Sequence, residues 1–537
     1  MADGLGLGGV YGETLSRITG QGKEKSRLGM AALMWISHSE QPLKVDELCH
    51  ALGVEIGSPD LDSDNVPSIR TLLSCCQGLV TVDKKASTVR LIHFTLQEYL
   101  RAHPQIFGRA HSTMAEICLS YLNSHQVKAL SATPSPDIRG TPLLEYSSLY
   151  WGMHAKRELS DCAKQLALKL FDDYNNHIST EILLKAGKSR FFQVEINRPS
   201  LFSGLHCASF FGIVEIVASL VEVENCDINQ TDCTGSAPLI WAASNGHKEA
   251  VKILLGRDDV NPNNSDMGGR TPLLRAAMNG HEEVVKMLLG RNDINPNKPD
   301  IIGQTPLLCA AMNGHEGVVK MLLGRDTVNP DNADGGHRTP LLRAAMNGHE
   351  EVVKILLGLD EVNPNKPDIS GLTPLWCAAM NGHEGVVKML LGQGGVNPNK
   401  PDIIGLTPLL CAAMNGHEEV VKILLERDDV NPNKPDIPGR TPLSCAAENG
   451  HERVVRILLG RDDMNPNKPD IASRTPLSYA AENGHEGVVK TLLGRDDVNP
   501  NKPDSSGRTP LWWATRNGHA RVIALLQPPA SPTPALH

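Results

Sequence analysis

Aromatic residues are scarce in this chain: they make up 4% of its 537 residues, although hydrophobic residues of all kinds make up 40%. A chain of this length exceeds a single compact core, so we expect two or three structural units. Many thin layers can be filled with Leu, Val and Ala, and they need no large aromatic core. The composition is therefore compatible with a helical architecture of repeated layers.

Long hydrophobic runs and a secretory leader are also missing. The longest apolar stretch, residues 30–36, is far too short to span a bilayer. Residues 1–18 include an early acid and lack the apolar segment of a signal peptide. Twelve cysteines in such a chain indicate reduced thiols and not a disulfide framework. We expect a cytoplasmic protein without membrane contacts.

A phosphate-binding loop is missing as well, because that loop needs G-x-x-x-x-G-K-[S/T] between a strand and a helix. Residues 20–24 come nearest, but Glu24 follows Lys23 and no strand precedes them. The glycine-rich residues 4–12 contain no lysine. We predict that the chain alone does not hydrolyse ATP, is not an enzyme and needs no cofactor.

What the sequence does contain is a repeat. Thr-Pro-Leu recurs at an interval of 34 residues, and Asn-Gly-His follows at a fixed offset in nine units. The register extends upstream, more weakly, to Ala237 and Ser203, which makes ten units. The Thr-Pro-Leu strings begin at Thr271, Thr305, Thr339, Thr373, Thr407, Thr441, Thr475 and Thr509.

The capping and turn residues within one unit predict two helices and a loop. Thr305 is a good N-cap, Pro306 suits the first helical position, and Gly314 offers a left-handed stop. A second apolar stripe follows over residues 318–323, and Val-Asn-Pro at 328–330 breaks it. A period of 34 also suits tetratricopeptide repeats, but these residues give helix, turn, helix and a long hairpin-like loop.

The string T-P-L-x-x-A-A-x-N-G-H-x-x-V-V-K-x-L-L resembles the ankyrin repeat over residues 203–526. The resemblance implies an all-α dominated fold, with an ankyrin-repeat solenoid of about ten repeats that binds a protein or peptide ligand on its concave face. The family's usual histidine after Thr-Pro-Leu is kept only as His206, so we expect some hydrogen bonds between repeats to be lost. The loop at 362–368 is longer than usual, which predicts protruding fingertips.

Residues 1–200 share no repeat with the rest of the chain. Helices are predicted at 27–37, 44–52 and 65–76, then a hairpin of strands at 79–82 and 88–92, then a helix at 95–101. This order is that of a winged helix. Its residues 27–101 carry seven basic residues against nine acidic ones, and the net charge of the chain is −9. We therefore expect no nucleic acid partner and regard a DNA-binding winged helix as the least favoured function.

Strings at residues 43–48, 91–100 and 144–152 resemble fungal NACHT-type NTPases. In that family they lie between the nucleotide-binding domain and a repeat sensor. The resemblance, over residues 10–185, implies that the chain is the recognition part of a STAND or NLR-like receptor. The NTPase domain of that receptor would then be lacking or be encoded upstream of Met1. The resemblance also implies that His93, after Ile92, senses nucleotide phosphates. The alternative for His93 is that it simply ends a strand of the wing.

These observations predict the organisation and role of the chain. The segments are a winged-helix-like domain at 1–105, a helical linker at 106–200, the repeat solenoid at 201–526 and a disordered Pro-rich tail at 527–537. We predict a protein–protein interaction module, the sensor of a NACHT–ankyrin receptor. The alternative is a free-standing ankyrin scaffold or adaptor with an N-terminal docking domain.

The resemblance also implies which residues bind the partner, because the residue after each Ala-Ala pair turns towards the groove. Five consecutive repeats carry methionine there, and an unbranched, polarizable side chain suits an adaptable apolar surface. The alternative is that copied repeats carry methionine only as packing. After Ser244, the predicted residues are Met278, Met312, Met346, Met380, Met414, Glu448, Glu482 and Arg516, and the fingers add Ile301, Ile302, Ile403 and Ile404.

The repeated histidines and cysteines do not predict a metal site or disulfides. His281 and His315 lie one repeat apart, and packed helices are about 8–10 Å apart, whereas metal–nitrogen bonds are about 2 Å. The same separation excludes disulfides among Cys377, Cys411 and Cys445. We expect the histidines to have a structural role at the turn between the two helices.

Overall fold

The computed structural model describes residues 7–131, 140–186 and 201–527. In these ranges the chain forms 30 α-helices and one two-stranded sheet, so the predicted helix-dominated fold is confirmed. The described residues divide into two compact units, one up to Met267 and one from Gly268. The domain boundaries predicted above stay predictions, and residues 528–537 of the predicted tail lie outside the described residues.

The first unit begins with the predicted winged helix. Its strands pair antiparallel, with Val80 opposite Leu91 and Asp83 opposite Thr88. Its first helix is not among the elements predicted from the sequence, and Tyr11 of this helix packs on Tyr99 with ring centroids 5.7 Å apart. The elements are α1 (Leu7–Thr19), α2 (Lys23–His38), α3 (Val45–Gly53), α4 (Ile69–Cys75), β1 (Val80–Asp83), β2 (Thr88–Leu91) and α5 (Phe94–Ala102).

Five further helices of the first unit form a layer between the winged helix and the first repeats in the sequence. Helices α6 and α8 pack on each other and completely bury Tyr121, Tyr146 and Trp151. The five are α6 (Ala110–Asn123), α7 (His125–Leu130), α8 (Leu144–Arg157), α9 (Asp161–Phe171) and α10 (Ile178–Ala186).

Three histidines, of which His154 is buried and the other two are partly buried, join α2 of the winged helix to α6 and α8. The Nδ1 atoms of His111 and His154 are 2.9 Å apart, and Nε2 of His154 lies 2.9 Å from the hydroxyl of Tyr146. The ring of His38 meets that of His111 edge-on, with centroids 5.4 Å apart. Burial, with the neighbouring His111 and Arg157, lowers the pKa of His154 to about 3. Burial and Arg157 lower the pKa of His111 to about 4, so both rings are neutral at pH 7.

Each of the ten repeats contains the two predicted helices. The first two repeats belong to the first unit, as α11 (Gly204–Phe211), α12 (Val214–Val221), α13 (Pro238–Ser244) and α14 (Lys248–Leu255). The second unit contains α15 (Pro272–Met278), α16 (Glu282–Leu289), α17 (Pro306–Met312), α18 (Glu316–Leu323), α19 (Pro340–Asn347), α20 (Glu350–Leu357), α21 (Pro374–Met380), α22 (Glu384–Leu391), α23 (Pro408–Asn415), α24 (Glu418–Leu425), α25 (Pro442–Glu448), α26 (Glu452–Leu459), α27 (Pro476–Glu482), α28 (Glu486–Leu493), α29 (Pro510–Arg516) and α30 (Ala520–Leu526).

Local chemistry sets these helix ends as the sequence predicts. The Thr305 hydroxyl accepts a hydrogen bond from the main-chain N–H of Leu308, 3.2 Å away, and Pro306 follows at the first helical position. Gly314 has φ +75°, the left-handed conformation that lets the chain turn into α18. Val318 and Val319 are fully buried between the helices. The layers are therefore thin and aliphatic.

Aromatic residues concentrate where the repeats meet the preceding helices of the first unit. The ring of Trp151 (α8) lies 6.0 Å from that of Phe171 (α9) and 5.4 Å from that of Phe211 (α11), measured between centroids. A Cβ added to Gly152 would lie 2.2 Å from the ring of Phe211. The first repeat therefore carries Phe-Gly-Ile in place of Asn-Gly-His because its neighbour is this helical layer and not another repeat.

Candidate protein-binding face of the repeats

The connectors between repeats form fingers, each running from a second helix to the next first helix. A finger closes on a buried aspartate: Oδ1 of Asp300 accepts hydrogen bonds from the N–H groups of Ile302, at 3.0 Å, and Gln304, at 2.8 Å. Gly303 completes the turn with φ +84°. We call the two residues after this aspartate the fingertip; here they are Ile301 and Ile302.

Neighbouring fingertips of the second unit are joined by main-chain hydrogen bonds. The first fingertip residue donates its N–H to the carbonyl of the second fingertip residue in the preceding repeat. The pairs are Ile301 to Gly268, Gly335 to Ile302, Ile369 to Gly336, Ile403 to Ser370, Ile437 to Ile404, Ile471 to Pro438 and Ser505 to Ala472, at 2.9–3.1 Å. The fingertips therefore form a continuous ladder along this unit.

Asparagines hold the bases of the fingers in the same way. Nδ2 of Asn399 donates to the carbonyl of Asp429 at 2.6 Å, and its Oδ1 accepts from the N–H of Asn431 at 2.9 Å. Asn433 makes the equivalent pair of bonds to Asp463 and Asn465. The Pro- and Asn-rich connector is thus a clamp between repeats.

The fingertips expose large apolar side chains. The predicted Ile301, Ile302, Ile403 and Ile404 are 66%, 55%, 68% and 50% exposed. Three more isoleucines in the same register are not among the predicted residues: Ile369, Ile437 and Ile471, which are 63%, 67% and 80% exposed. Their signal was available, because each directly follows a finger aspartate. Fingertip exposure agrees with the predicted protrusion of the long loops.

The aspartates beneath the fingertips are buried or partly buried, and some of them bind side chains of the first helices. Oδ2 of Asp334 lies 2.8 Å from Nη2 of Arg343, and Oδ2 of Asp470 lies 2.6 Å from the hydroxyl of Tyr479. Burial alone would raise the pKa of Asp334, but hydrogen bonds from the N–H of Arg338 and from Arg343 outweigh it and lower the pKa. The carboxylate of Asp334 therefore remains charged, and both aspartates fix their fingers to their own repeats.

The predicted methionines of the first helices are half-buried. Met380, the most exposed of them, is 38% exposed, and Met278, Met312, Met346 and Met414 are less so. Met346 and Met414 pack against a core of neighbouring repeats made of Leu342, Trp376, Cys377, Leu406, Leu410, Cys411 and Cys445. These side chains contact both core and solvent, and their role in binding stays a prediction.

The last three repeats replace methionine by charged residues at this position. Glu448 lies 3.4 Å from Nη1 of Arg440, and Glu482 is paired with Arg474. The guanidinium of Arg516 lies 5.2 Å from the ring centroid of Trp512, which is 41% exposed. This end of the face is polar and aromatic, whereas the methionine segment is apolar.

The histidines of Asn-Gly-His tie successive repeats together, as predicted for a structural role. Nε2 of His349 donates to the carbonyl of Met312 at 2.9 Å, and Nε2 of His383 donates to that of Met346 at 3.0 Å. Among the described residues, no group of three or more His, Cys, Asp or Glu could hold a metal ion.

The histidine missing after Thr-Pro-Leu is partly replaced. Nε2 of His206 lies 3.1 Å from the carbonyl of Ser236, thirty residues on. At the equivalent positions, Nε1 of Trp376 donates to the carbonyl of Leu406 at 2.9 Å. The expected loss of this hydrogen bond is therefore wrong for the repeat of Trp376, because the indole N–H reaches the same carbonyl.

The repeat cysteines are buried thiols. All twelve cysteines of the chain are free, as predicted for Cys377, Cys411 and Cys445. Burial raises the pKa of Cys377 and of Cys445 to about 12. These thiols are protonated at neutral pH and act as small core side chains.

His93 lies outside the repeats, at the start of α5. Its Nδ1 accepts from the N–H of Thr95 at 3.3 Å and lies 2.8 Å from the Thr95 hydroxyl. The side chain is exposed, between the exposed Ile92 and Phe94. His93 thus caps a helix after the wing, and nucleotide sensing stays a prediction.

Comparison with protein families gives two matches. A family model for ankyrin repeats, in three copies, matches overlapping segments at 205–300, 259–334, 291–368, 307–402, 359–436, 375–470 and 462–533, together more than half of the chain. A model for the GPI inositol-deacylase winged helix domain matches residues 16–115, to which this chain's winged helix is similar. Within the described residues, no helix combines the length and apolarity needed to cross a membrane. Ankyrin repeats typically mediate protein–protein binding, and this chain belongs to the ankyrin-repeat family.

Proposed function

We propose that this protein binds other proteins through the face formed by the first helices and fingers of its second unit. The observation that carries the proposal is that the fingertips expose a row of isoleucines and the first helices carry a line of half-buried methionines. Large apolar side chains that a folded chain leaves exposed in a contiguous row mark interaction surfaces. Methionine adapts its shape to different partners, and Glu448, Glu482 and Arg516 add polar contacts at one end.

A selection experiment tests this proposal without a known partner. A phage library of random 16-residue peptides is selected against the immobilised full chain, and the selected peptides are titrated by fluorescence anisotropy. Met312→Glu, Met346→Glu and Met380→Glu, combined, should weaken binding of these peptides at least tenfold. The melting temperature should change little, because the mutated side chains reach solvent.

Second-helix methionines provide a matched control. Met287, Met321 and Met389 are also half-buried, but they lie on α16, α18 and α22. Their combined change to Glu should leave peptide affinity within about twofold. Equal losses of peptide affinity in both triple variants would refute the proposed face. A marked fall in melting temperature only in the first-helix variant would place the first-helix methionines in the core and would also refute it.

At the level of the whole protein, we propose that the chain is the recognition part of a NACHT–ankyrin receptor. The match of residues 16–115 to a winged helix domain supports this proposal, together with the strings that resemble NACHT-type NTPases. The winged helix and helical linker, proposed at 1–105 and 106–200, would connect a nucleotide-binding domain to the repeats, and His93 would then meet nucleotide phosphates.

Sequencing the 5′ end of the transcript tests this proposal. An in-frame phosphate-binding loop upstream of Met1 would support a receptor. A stop codon in frame upstream of Met1, with no such loop, would refute it and favour the free-standing scaffold with an N-terminal docking domain.

A further inference from the structure

Four consecutive fingertips form an apolar stripe with defined ends. Ile369, Ile403, Ile437 and Ile471 are 63–80% exposed and occupy the same position in successive repeats. The fingertip before them is Gly335–Gly336, and the fingertip after them is Ser505–Ser506. We call these four isoleucines the fingertip stripe.

The main chain of the stripe is not available to a partner strand. In the finger of Asp436, the N–H of Ile437 donates to Ile404 at 3.1 Å, that of Gly439 to the Asp436 carbonyl at 2.9 Å, and that of Arg440 to Asp436 Oδ1 at 2.7 Å. Pro438 has no N–H. Addition of a strand needs free main-chain donors and acceptors along an edge. Recognition must therefore use side chains.

The spacing of the stripe matches a helix. Stacked helical repeats are about 10 Å apart, so the four isoleucines span about 30 Å. Seven residues of an α-helix rise about 10.5 Å, so a helix with an apolar residue at every seventh position stays in register along the stripe. In a strand, side chains on one face repeat about every 6.8 Å and fall out of register.

Lysines accompany the stripe. Nζ of Lys434 donates to the carbonyl of Asn399 at 2.8 Å, Nζ of Lys468 to that of Asn433 at 2.9 Å, and Nζ of Lys502 to that of Asn467 at 3.2 Å. A carbonyl accepts the hydrogen bond but does not neutralise the charge. Lys434 and Lys468 precede Ile437 and Ile471 by three residues. An occupant with carboxylates beside its apolar residues complements this row.

We infer that the fingertip stripe binds an acidic amphipathic helix of about 20–25 residues, laid along the four fingers with one apolar side chain per repeat. This inference rests on the proposed protein-binding function and names the partner's chemistry. The isoleucines pack on the apolar side of the helix, and the lysines pair with glutamates or aspartates that flank it.

A synthetic peptide tests the inference on the full chain. The probe is a labelled 24-residue helical peptide with leucine at every seventh position and at the fourth position after each, and with glutamate beside this stripe. A second peptide has lysine in place of glutamate. We expect saturable anisotropy binding of the glutamate peptide at micromolar concentrations, weakened by salt, and at least tenfold weaker binding of the lysine peptide.

Two pairs of variants locate the site. Ile437→Ser with Ile471→Ser should weaken binding of the glutamate peptide at least tenfold, whereas Ile56→Ser with Val223→Ser, at exposed positions of the first unit, should change it less than twofold. Both pairs are exposed, so the melting temperature should be unchanged. Lys434→Gln with Lys468→Gln should weaken binding and reduce its salt dependence.

Failure of this inference is distinguishable from failure of the proposed function. If the glutamate peptide does not bind at 100 µM, binds no better than the lysine peptide, or is insensitive to the Ile437 and Ile471 changes, the inference is wrong. The library-selected peptides and the first-helix methionine variant would still test the binding face independently. If the Ile437 and Ile471 variant no longer binds the glutamate peptide, but the methionine changes do not affect binding of the library peptides, the results would support the fingertip stripe and not the first-helix methionines.

Discussion

At each boundary between repeats of the second unit, a turn glycine of one repeat meets a histidine of the next. Gly348 has φ +75°, and a Cβ built on it would lie 2.6 Å from Nδ1 of His383. Gly382 has the same φ and faces His417 at the same distance. Glycine is required both by the left-handed main chain and by the ring that covers it. The sequence predicts the left-handed turn, whereas the contact with the histidine ring depends on how the repeats pack.

Gly348→Ala and Gly382→Ala should each lower the free energy of unfolding by about 2–5 kcal/mol. About 1–2 kcal/mol comes from the left-handed conformation, and a further 1–3 kcal/mol comes from displacing the histidine. Urea unfolding followed by circular dichroism measures the change. Gly394→Ala is the control, because its Cβ meets no atom within 4 Å and its φ is not positive, so the change should stay within about 0.5 kcal/mol. Equal midpoints for all three variants would contradict the expectation.

Among the elements, α8 and α9 close the N-terminal side of the first repeat within the first unit. The degraded sequence of that repeat would by itself predict fraying, because a solenoid's stability depends on its neighbours. Trp151 and Phe171 instead give Phe211 an aromatic partner, and Gly204 approaches the Phe171 ring so closely that an added Cβ would lie 2.4 Å from it. The helical layer thus serves as a cap for the repeat.

Hydrogen exchange should show α11 and α12 protected like the central repeats, whereas α29 and α30 exchange faster. Gly152→Ala should remove the protection of α11 and α12, because its Cβ would lie 2.2 Å from the Phe211 ring. Gly140→Ala, whose Cβ meets nothing within 4 Å, should leave exchange unchanged. Fast exchange of α11 and α12 in the unmodified chain would show that α8 and α9 do not cap them.

Across the whole molecule, the two units differ in how histidines are buried. In the first unit, burial lowers the pKa of His177 to about 4, and its Nε2 donates to the carbonyl of Leu122 at 3.0 Å. Burial, with the neighbouring His111, Arg157 and His38, lowers the pKa of His154 to about 3. Both side chains are almost fully buried. The Asn-Gly-His histidines of the second unit instead lie at the turns between the two helices of each repeat, partly exposed.

Acid should therefore destabilise the first unit before it protonates these rings in the folded chain. The folded pKa values of His154 and His177 lie below the unfolded value of 6.5, so the unfolded chain takes up protons first as the pH falls. Stability is fully present above about pH 6.5 and declines towards pH 4–3. At pH 5 each of the two histidines should lower the free energy of unfolding by about 2 kcal/mol relative to neutral pH.

Urea unfolding at pH 7 and pH 5, read by pulsed hydrogen exchange, separates the two units. The urea midpoint of the first unit should fall more on acidification than that of the second. His177→Gln should reduce this difference by removing one titrating group, although it weakens folding at pH 7. Parallel shifts of both units, unaffected by the substitution, would refute the role of the buried histidines.

The sequence by itself determined the elements of the repeats. The Thr-Pro pair, the turn glycine and the Val-Asn-Pro break predicted where helices such as α17 and α18 begin and end, because capping and turns depend on residues within a few positions. The same periodicity predicted the fingers and placed Ile301 and Ile403 on them. Alternation of strand residues predicted the wing of the winged helix.

The tertiary structure decided what each repeated residue contacts. The carbonyl that Trp376 reaches lies thirty residues away, and the cap on Phe211 comes from helices with no repeat pattern. The half-burial of Met346 also follows from packing between repeats. Such contacts depend on how elements distant in the chain stack. A repeat pattern specifies the layer that stacks, whereas burial, exposure and hydrogen-bond partners are set by the neighbouring layer.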